Sequence, residues 1–347
     1  MNSPLTLASG KPLDILTFGE IMLRLSPPGK ERISQCETFE KHAGGSEFNV
    51  AAGIAALGLK AGFMTRLPQN EIGKFIRSKI RMNGVDDRYL IYDNSPEARL
   101  GIYYYEYGAA PRKPTACYDR RDSSVAKISI SDIPEEAYDS TRLFHVSGIS
   151  LALCENAREV VAAMVKKFKE HGAAVSFDVN YRANLWDEGT ARSCIESLFP
   201  YIDILFVSEE TSRRMLGRTG SLESIMKGYC ADYGIKIVAT TMRTVVSPTC
   251  HSFTSKIYSA AEDCFYEEEG YEGIEVVDRI GSGDAYLSGA LSSILKGESL
   301  QHAVEHGNAM SVLKNTVPGD VSICDEKELE NTIKAHKKIG PVSELNR

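Results

Sequence analysis

The stretch VVDRIGSGDAYLSGAL, Val276 to Leu291, is where the reading of the fold is decided. Three small residues, Gly281, Ser282 and Gly283, separate a β-branched run from a helix-compatible one, and Asp284 opens the helix. Two readings are open on local grounds. In one, the segment is a loop capped into a helix, and Asp284 only complements the helix dipole. In the other, the backbone N–H groups of the three small residues converge at a helix N-terminus, where partial positive charge favours a phosphate or a developing anion. Asp284 then stands beside that anion hole as a base for a hydroxyl proton. The segment is not a Walker loop, because G-x-x-x-x-G-K-[ST] is absent from the chain, and it lacks the third glycine of a dinucleotide fingerprint.

Working outward, short apolar runs alternate with helical patterns. DILTFG, AGFMT, LFHVSG, AAVSFDV, DILFV and KIVATT read as strands. Between them, EFNVAAGIAALG places Val50, Ile54 and Leu57 on one helical face and stops at a glycine. NEIGKFIRSKIRMNG opens at Asn70, a good N-cap, and ENAREVVAAMVKKFKEHG ends at Gly172. Asp187 to Leu198 and SLESIMKGYCADYG continue the alternation. Buried strands alternating with helices imply an α/β fold, a mainly parallel sheet covered on both faces. One region breaks the rhythm. In RLGIYYYEYGAAPRKPTACYDRRDSSVA, Arg99 to Ala126, tyrosines recur with period two before a turn and a second polar strand. This reads as an antiparallel flap whose tyrosines cannot all be core. It is either an oligomer interface or a lid over a polar substrate, and both can hold.

Bulk properties exclude several classes. The 347 residues carry a formal charge of -7, with 43% hydrophobic and 25% charged residues and no dense Lys/Arg block, so no nucleic-acid partner is expected. The eight cysteines are scattered without a CxxC pair, the N-terminus has no signal-peptide pattern, and no run is long enough to span a membrane. A reduced, cytoplasmic protein is the expectation.

Three further segments carry chemistry. HAVEH, His302 to His306, matches the H-x-x-E-H metal pattern, but three fixed positions in five arise by chance and no distal ligand is legible. It reads as part of an amphipathic helix. HAGGSEFNVAAG has a glycine pair entering a helix, either a plain βα turn or a close approach to a ligand, with Asn49 reaching back. SFDVNYRANLW ends a strand at Asp178 and delivers Asn180 and Arg182 within four residues. Ligands in open parallel sheets sit at the carboxyl ends of strands, so this cluster points to anion or sugar recognition.

Together these segments resemble the ribokinase-like (PfkB-type) carbohydrate kinases, from about residue 14 to 340. The glycine pair with Asn49 is similar to that family's N-terminal signature, and DRIGSGDAYLSGAL to its C-terminal one. The resemblance implies a three-layer sandwich around the mainly parallel sheet, a single kinase domain over 1–347, and an antiparallel β-lid formed mainly by about 20–40 and 98–127. It implies ATP and Mg²⁺, with Asp284 as base and Gly281, Ser282 and Gly283 as anion hole.

FGEIMLRLSPPG and FDVNYRANLW are most similar to the branch acting on 2-keto-3-deoxygluconate. That likeness assigns Gly45, Ser46, Asn49, Tyr103, Tyr118, Arg120, Arg182 and Asp320 to the sugar acid. Asn180, Thr241, Arg243 and Asn308 fall to the nucleotide. A sugar acid needs cationic recognition of its carboxylate, which agrees with the arginines. The chain departs from the family at SEET, where Ser208 and Thr211 replace an N-x-x-E pattern linked to Mg²⁺, so the metal ligands are unassigned. The usual glycine-rich nucleotide loop is also missing, and Thr241 and Arg243 stand in its place. Other readings are a kinase for fructose, a ketohexose phosphate or a nucleoside, and a sugar-binding regulator without the kinase step. Self-association through the lid is expected.

Overall fold

The computed structural model describes residues 5–338, so the ends of the expected domain, 1–4 and 339–347, lie outside the described residues. The strands of the first half are β1 (Leu13–Phe18), β2 (Met22–Ser26), β3 (Glu40–Gly44), β4 (Ala61–Pro68), β5 (Leu90–Asp93), β6 (Ile102–Glu106) and β7 (Thr115–Asp119). Those of the second half are β8 (Thr141–Ser147), β9 (Ala174–Asp178), β10 (Ile204–Phe206), β11 (Ile237–Ser247), β12 (Cys250–Ser259), β13 (Cys264–Glu267) and β14 (Tyr271–Glu275).

The large sheet runs in the order β13-β12-β11-β10-β9-β8-β1-β4-β5, with β14 beside β12. From β11 to β5 every neighbouring pair is parallel, and β12 to β14 add an antiparallel edge. The parallel strands are apolar on both faces, and alternate residues feed two separate cores. Ile15, Leu143, Ala174, Ile204 and Ile237 pack toward the helices Ser46–Ala56, Ser282–Lys296 and Leu300–Asn315. Leu16, Phe144, Val175, Leu205 and Val238, each one residue further on, pack toward Glu155–Glu170, Glu188–Leu198 and Leu222–Tyr233. The period of two therefore builds the three-layer sandwich directly.

β11 extends well past the expected KIVATT, through Ser247, because its second half pairs antiparallel with β12 and needs no buried apolar face. The second sheet has the order β3-β2-β6-β7. It is antiparallel at both hairpin edges, and its central pair, β2 with β6, runs parallel. The tyrosines of the flap divide: Tyr103, Tyr105 and Tyr107 are buried, forming a small cluster with Met22 on the face turned to the body, and Tyr104 is half-buried. Tyr118, on β7, stays exposed. All eight cysteines are free, and no described helix is long and apolar enough to cross a membrane.

Local signals hold at the helix ends. The Asn70 side chain accepts hydrogen bonds from the amides of Ile72 and Gly73 and so caps Glu71–Met82. Replacing Asn70 by Ala should lower unfolding free energy by about 1 kcal/mol in a urea titration. A midpoint unchanged from wild type would remove the cap from the helix's stability.

Candidate active site

Asp284 sits in the first turn of Ser282–Lys296, and both of its oxygens are held. Ser46 Oγ donates to Oδ1 and Asn49 Nδ2 to Oδ2, each at 2.7 Å. The Asn49 amide is oriented in turn by accepting from the Gly45 N–H, and Asn180 Nδ2 donates to Ser46 Oγ. Ser46 and Asn49, expected on a sugar, therefore position the carboxylate. Asn180 reaches them from a backbone with φ of 35°, a left-handed region that Asn tolerates better than most residues.

The helix entry requires Gly281. Its φ is 79°, and a Cβ there would overlap the Asp320 carbonyl oxygen. The anion hole differs in detail from the expectation. The Ser282 amide closes a turn onto the Arg279 carbonyl at 3.3 Å, and its hydroxyl is taken up by Ser311 and Asn315. Among the described residues, the amides of Gly283 and Asp284 are the ones left free at the helix N-terminus.

Around this helix end opens a cleft of about 570 Å³ at the carboxyl ends of the parallel strands. It brings together Asp284, Gly281, Ser282, Gly283, Gly45, Ser46 and Asn49 with Asn180, Arg182 and Asp320. Tyr103, Tyr118 and Arg120 enter from the small sheet, and Thr241 and Arg243 from β11. Asn308 is the exception and a correction: it is fully buried in its helix and donates to Glu268 at 2.8 Å.

The charges divide into paired and unpaired. Arg120 Nε donates to Glu20 at 2.7 Å, so its charge is answered within the chain. Asp320 is bound by Arg24 at 2.8 Å and by the Tyr103 hydroxyl. Arg24 itself is fully buried and also meets Asp278 at 2.7 Å. Burial opposes its charge, but Asp320 and Asp278 outweigh that and raise its pKa. By contrast, Arg182, Arg243 and Arg279 all line the cleft, and none makes an ion pair or side-chain hydrogen bond among the described residues. Burial, then repulsion from Arg279 and Arg182, lowers the pKa of Arg243.

The carboxylates respond to the same environment. Burial, then the charge of Asp284, pushes Asp178 up to about 7, while Arg182 pulls it down. Burial also raises Asp284, against the bonds from Asn49 and Ser46. Chemically, the arrangement can hold a polyanion against a helix end while a carboxylate accepts a proton.

Arg279 and Glu20 were missed in the sequence, although each had a signal. Arg279 lies two residues before Gly281, and Glu20 follows β1 at a strand's carboxyl end. Ser208 and Thr211 also line the cleft, but their hydroxyls bond each other at 2.8 Å, and that of Ser208 caps Glu209–Arg214.

The sequence profile of the pfkB family carbohydrate kinases matches residues 13–327. A 2-dehydro-3-deoxygalactonokinase of Haloferax volcanii is 33% identical over 321 residues, 92% of this chain and 96% of the relative. A 2-dehydro-3-deoxygluconokinase of Bacillus subtilis is 29% identical, over 89% of this chain and 91% of the relative. The crystal structure of a 2-dehydro-3-deoxygluconokinase from Thermotoga maritima superposes with a TM-score of 0.87 at 33% identity, over 93% of this chain and 99% of that one.

The raised Asp178 value makes a stability prediction. Its folded pKa of about 7 lies above the ordinary 3.8, so the penalty on the folded state builds as pH rises from about 4 to 7 and is complete above 7. Asp178→Asn should therefore raise the thermal midpoint by about 2 °C or more at pH 8 and by much less at pH 4. Equal shifts at both pH values would show that Asp178 ionises normally.

Proposed function

Because the chain belongs to the pfkB family of carbohydrate kinases, we propose that it phosphorylates 2-keto-3-deoxygluconate with ATP, at the terminal hydroxyl, giving the 6-phosphate. The observation that carries this reading is the set of three unpaired arginines, Arg182, Arg243 and Arg279, beside the free helix N-terminus and Asp284. Three solvent-facing like charges on one cleft attract anions, and a nucleotide's phosphates together with a sugar acid's carboxylate supply them. The whole chain then acts as one kinase domain, with the four-stranded sheet as its lid.

In this mechanism Asp284 accepts the proton of the sugar hydroxyl as that oxygen attacks the γ-phosphoryl group in line. Ser46 and Asn49 hold the carboxylate in one orientation, leaving a lone pair for the incoming proton. The Gly283 and Asp284 amides and Arg182 offset the charge growing on the transferring group. Tyr103, Tyr118 and Arg120, on the lid, cover the acceptor and keep water from competing. Arg243, Arg279, Asn180 and Thr241 lie on the nucleotide side.

Mg²⁺ accompanies ATP in this reading. Of the cleft's carboxylates, Glu20 and Asp320 are committed to arginines and Asp284 to Ser46 and Asn49. Asp178 makes no ion pair among the described residues, so it is the oxygen donor that fits a hard cation. When bound, the ion neutralises phosphate charge. Self-association stays part of the proposal, because β7 is an edge strand with all five of its residues exposed.

The relative from Haloferax volcanii favours a second acceptor, the 3-deoxygalactonate epimer. An ATP-coupled assay over both epimers, fructose, a ketohexose phosphate and a nucleoside tests the substrate. A neutral sugar turned over faster than either acid would overturn the sugar-acid reading. Asp284→Asn should lower kcat by about 10²–10⁴-fold while nucleotide binding persists. Undiminished turnover in that variant would remove Asp284 from the chemistry. Arg120→Ala should raise KM strongly for the sugar acid and little for a neutral sugar, and equal effects on both would deny Arg120 a role in acid recognition.

A further inference from the structure

The H-x-x-E-H pattern at His302 to His306 lies away from the cleft, and the fold gives it partners that its sequence neighbourhood lacks. His302 and His306 stand one turn apart on Leu300–Asn315, with ring centroids 3.9 Å apart. The helix Glu326–His336 crosses in front of them. Glu330 Oε1 lies 3.3 Å from His302 Nε2 and 3.0 Å from His306 Nε2, so two imidazoles converge on one oxygen. Glu326 Oε1 is 4.0 Å from His306 Nε2, while its other oxygen is held by Lys296 at 2.6 Å. The motif's own Glu305 takes no part and pairs with Lys337 instead.

Two features separate this cluster from a plain ion-pair network. Two overlapping sets, Glu298 with His302 and His306, and His306 with Glu326 and Glu330, have ligand atoms all within 4.8 Å of one another. The edges of a ligand tetrahedron around Zn²⁺ are about 3.3 Å, close to the two separations at Glu330. His302 Nδ1 also lies 2.7 Å from Glu298 Oε2. Both nitrogens of His302 are thus engaged by carboxylates, Nδ1 by Glu298 and Nε2 by Glu330. With a metal on Nε2, a neutral ring donates Nδ1–H to Glu298, the carboxylate–histidine–metal arrangement that orients such ligands.

We propose that His302, His306 and Glu330 bind a divalent cation of the zinc class, with Glu326 closing the fourth position and Glu298 orienting His302. The ion joins Glu326–His336 to Leu300–Asn315 and acts as a clamp on the end of the fold. It has no part in phosphoryl transfer.

Chelator-stripped protein, dialysed against Zn²⁺ alone, should take up one equivalent, and Co²⁺ should give the intense visible absorption of a four-coordinate ion. His302→Gln and the more exposed Glu330→Gln should each abolish this uptake, and Glu298→Gln should weaken it by about 10–100-fold. Glu305→Gln should bind as wild type, although it removes the motif's acidic residue. Zn²⁺ should raise the thermal midpoint of wild type and of Glu305→Gln but not of Glu330→Gln. Failure of the wild type to take up the ion would overturn the proposal. So would uptake that survives both His302→Gln and Glu330→Gln, which would point to the thiols.

Discussion

The buried guanidinium of Arg24 is the constraint on which the rest of the site's architecture depends. It leaves β2, in the small sheet, and ends between Asp278 and Asp320, which flank the glycine turn on either side. Asp278 in turn accepts from the Ile280 and Gly319 amides, and the Tyr105 ring lies 4.4 Å from the guanidinium carbon. An ion pair this deep is worth little against an apolar substitute but is costly to break from one side. The central strands of the small sheet, β2 through Arg24 and β6 through Tyr103, are therefore bolted to the segment that carries Asp284. Any closing motion has to come from the exposed edge strand β7 rather than from a hinge under the whole lid.

Beneath the cleft the sheet is polar where a core would ordinarily be apolar. Thr17, His145 and Ser176 are fully buried in register on adjacent strands, under the helix Ser46–Ala56. Thr17 donates to the Glu47 carbonyl, and Glu47 accepts from the Ser147 and Ser150 hydroxyls. Burial pushes His145 down to about 3, so it stays neutral beside Ser176. These bonds anchor the helix end that carries Ser46 and Asn49. Hydrogen bonds are directional in a way apolar packing is not, and a carboxylate held by two 2.7 Å contacts needs a fixed support.

Much of this was legible in the chain because it is local. Period-two strands, glycine stops and side-chain caps each concern a few neighbouring residues, and the sandwich follows from their alternation. The strand-end rule likewise placed Asn180 and Arg182 on the cleft. What was not legible depends on partners remote in sequence. Asn308 looked available until Glu268, on another segment, took its amide. Ser46 and Asn49 line the cleft, but that they also hold Asp284 was not legible. Which of the flap's tyrosines would be buried was not legible, because the face shared by Tyr103, Tyr105 and Tyr107 meets Arg24 and Asp320 as well as Met22. The second half of β11 carried no apolar signature, because its pairing with β12 is made through the backbone.

The bonds that hold Asp284 span 238 and 235 residues, and the one from Arg24 to Asp320 spans 296. Contacts so distant along a chain form late, after the intervening loops have been closed. A ribosome must release nearly the whole polypeptide before the first quarter can meet the last. A nascent or truncated product would thus carry most of the sheet yet present no assembled centre, and the appearance of activity would mark the completion of folding.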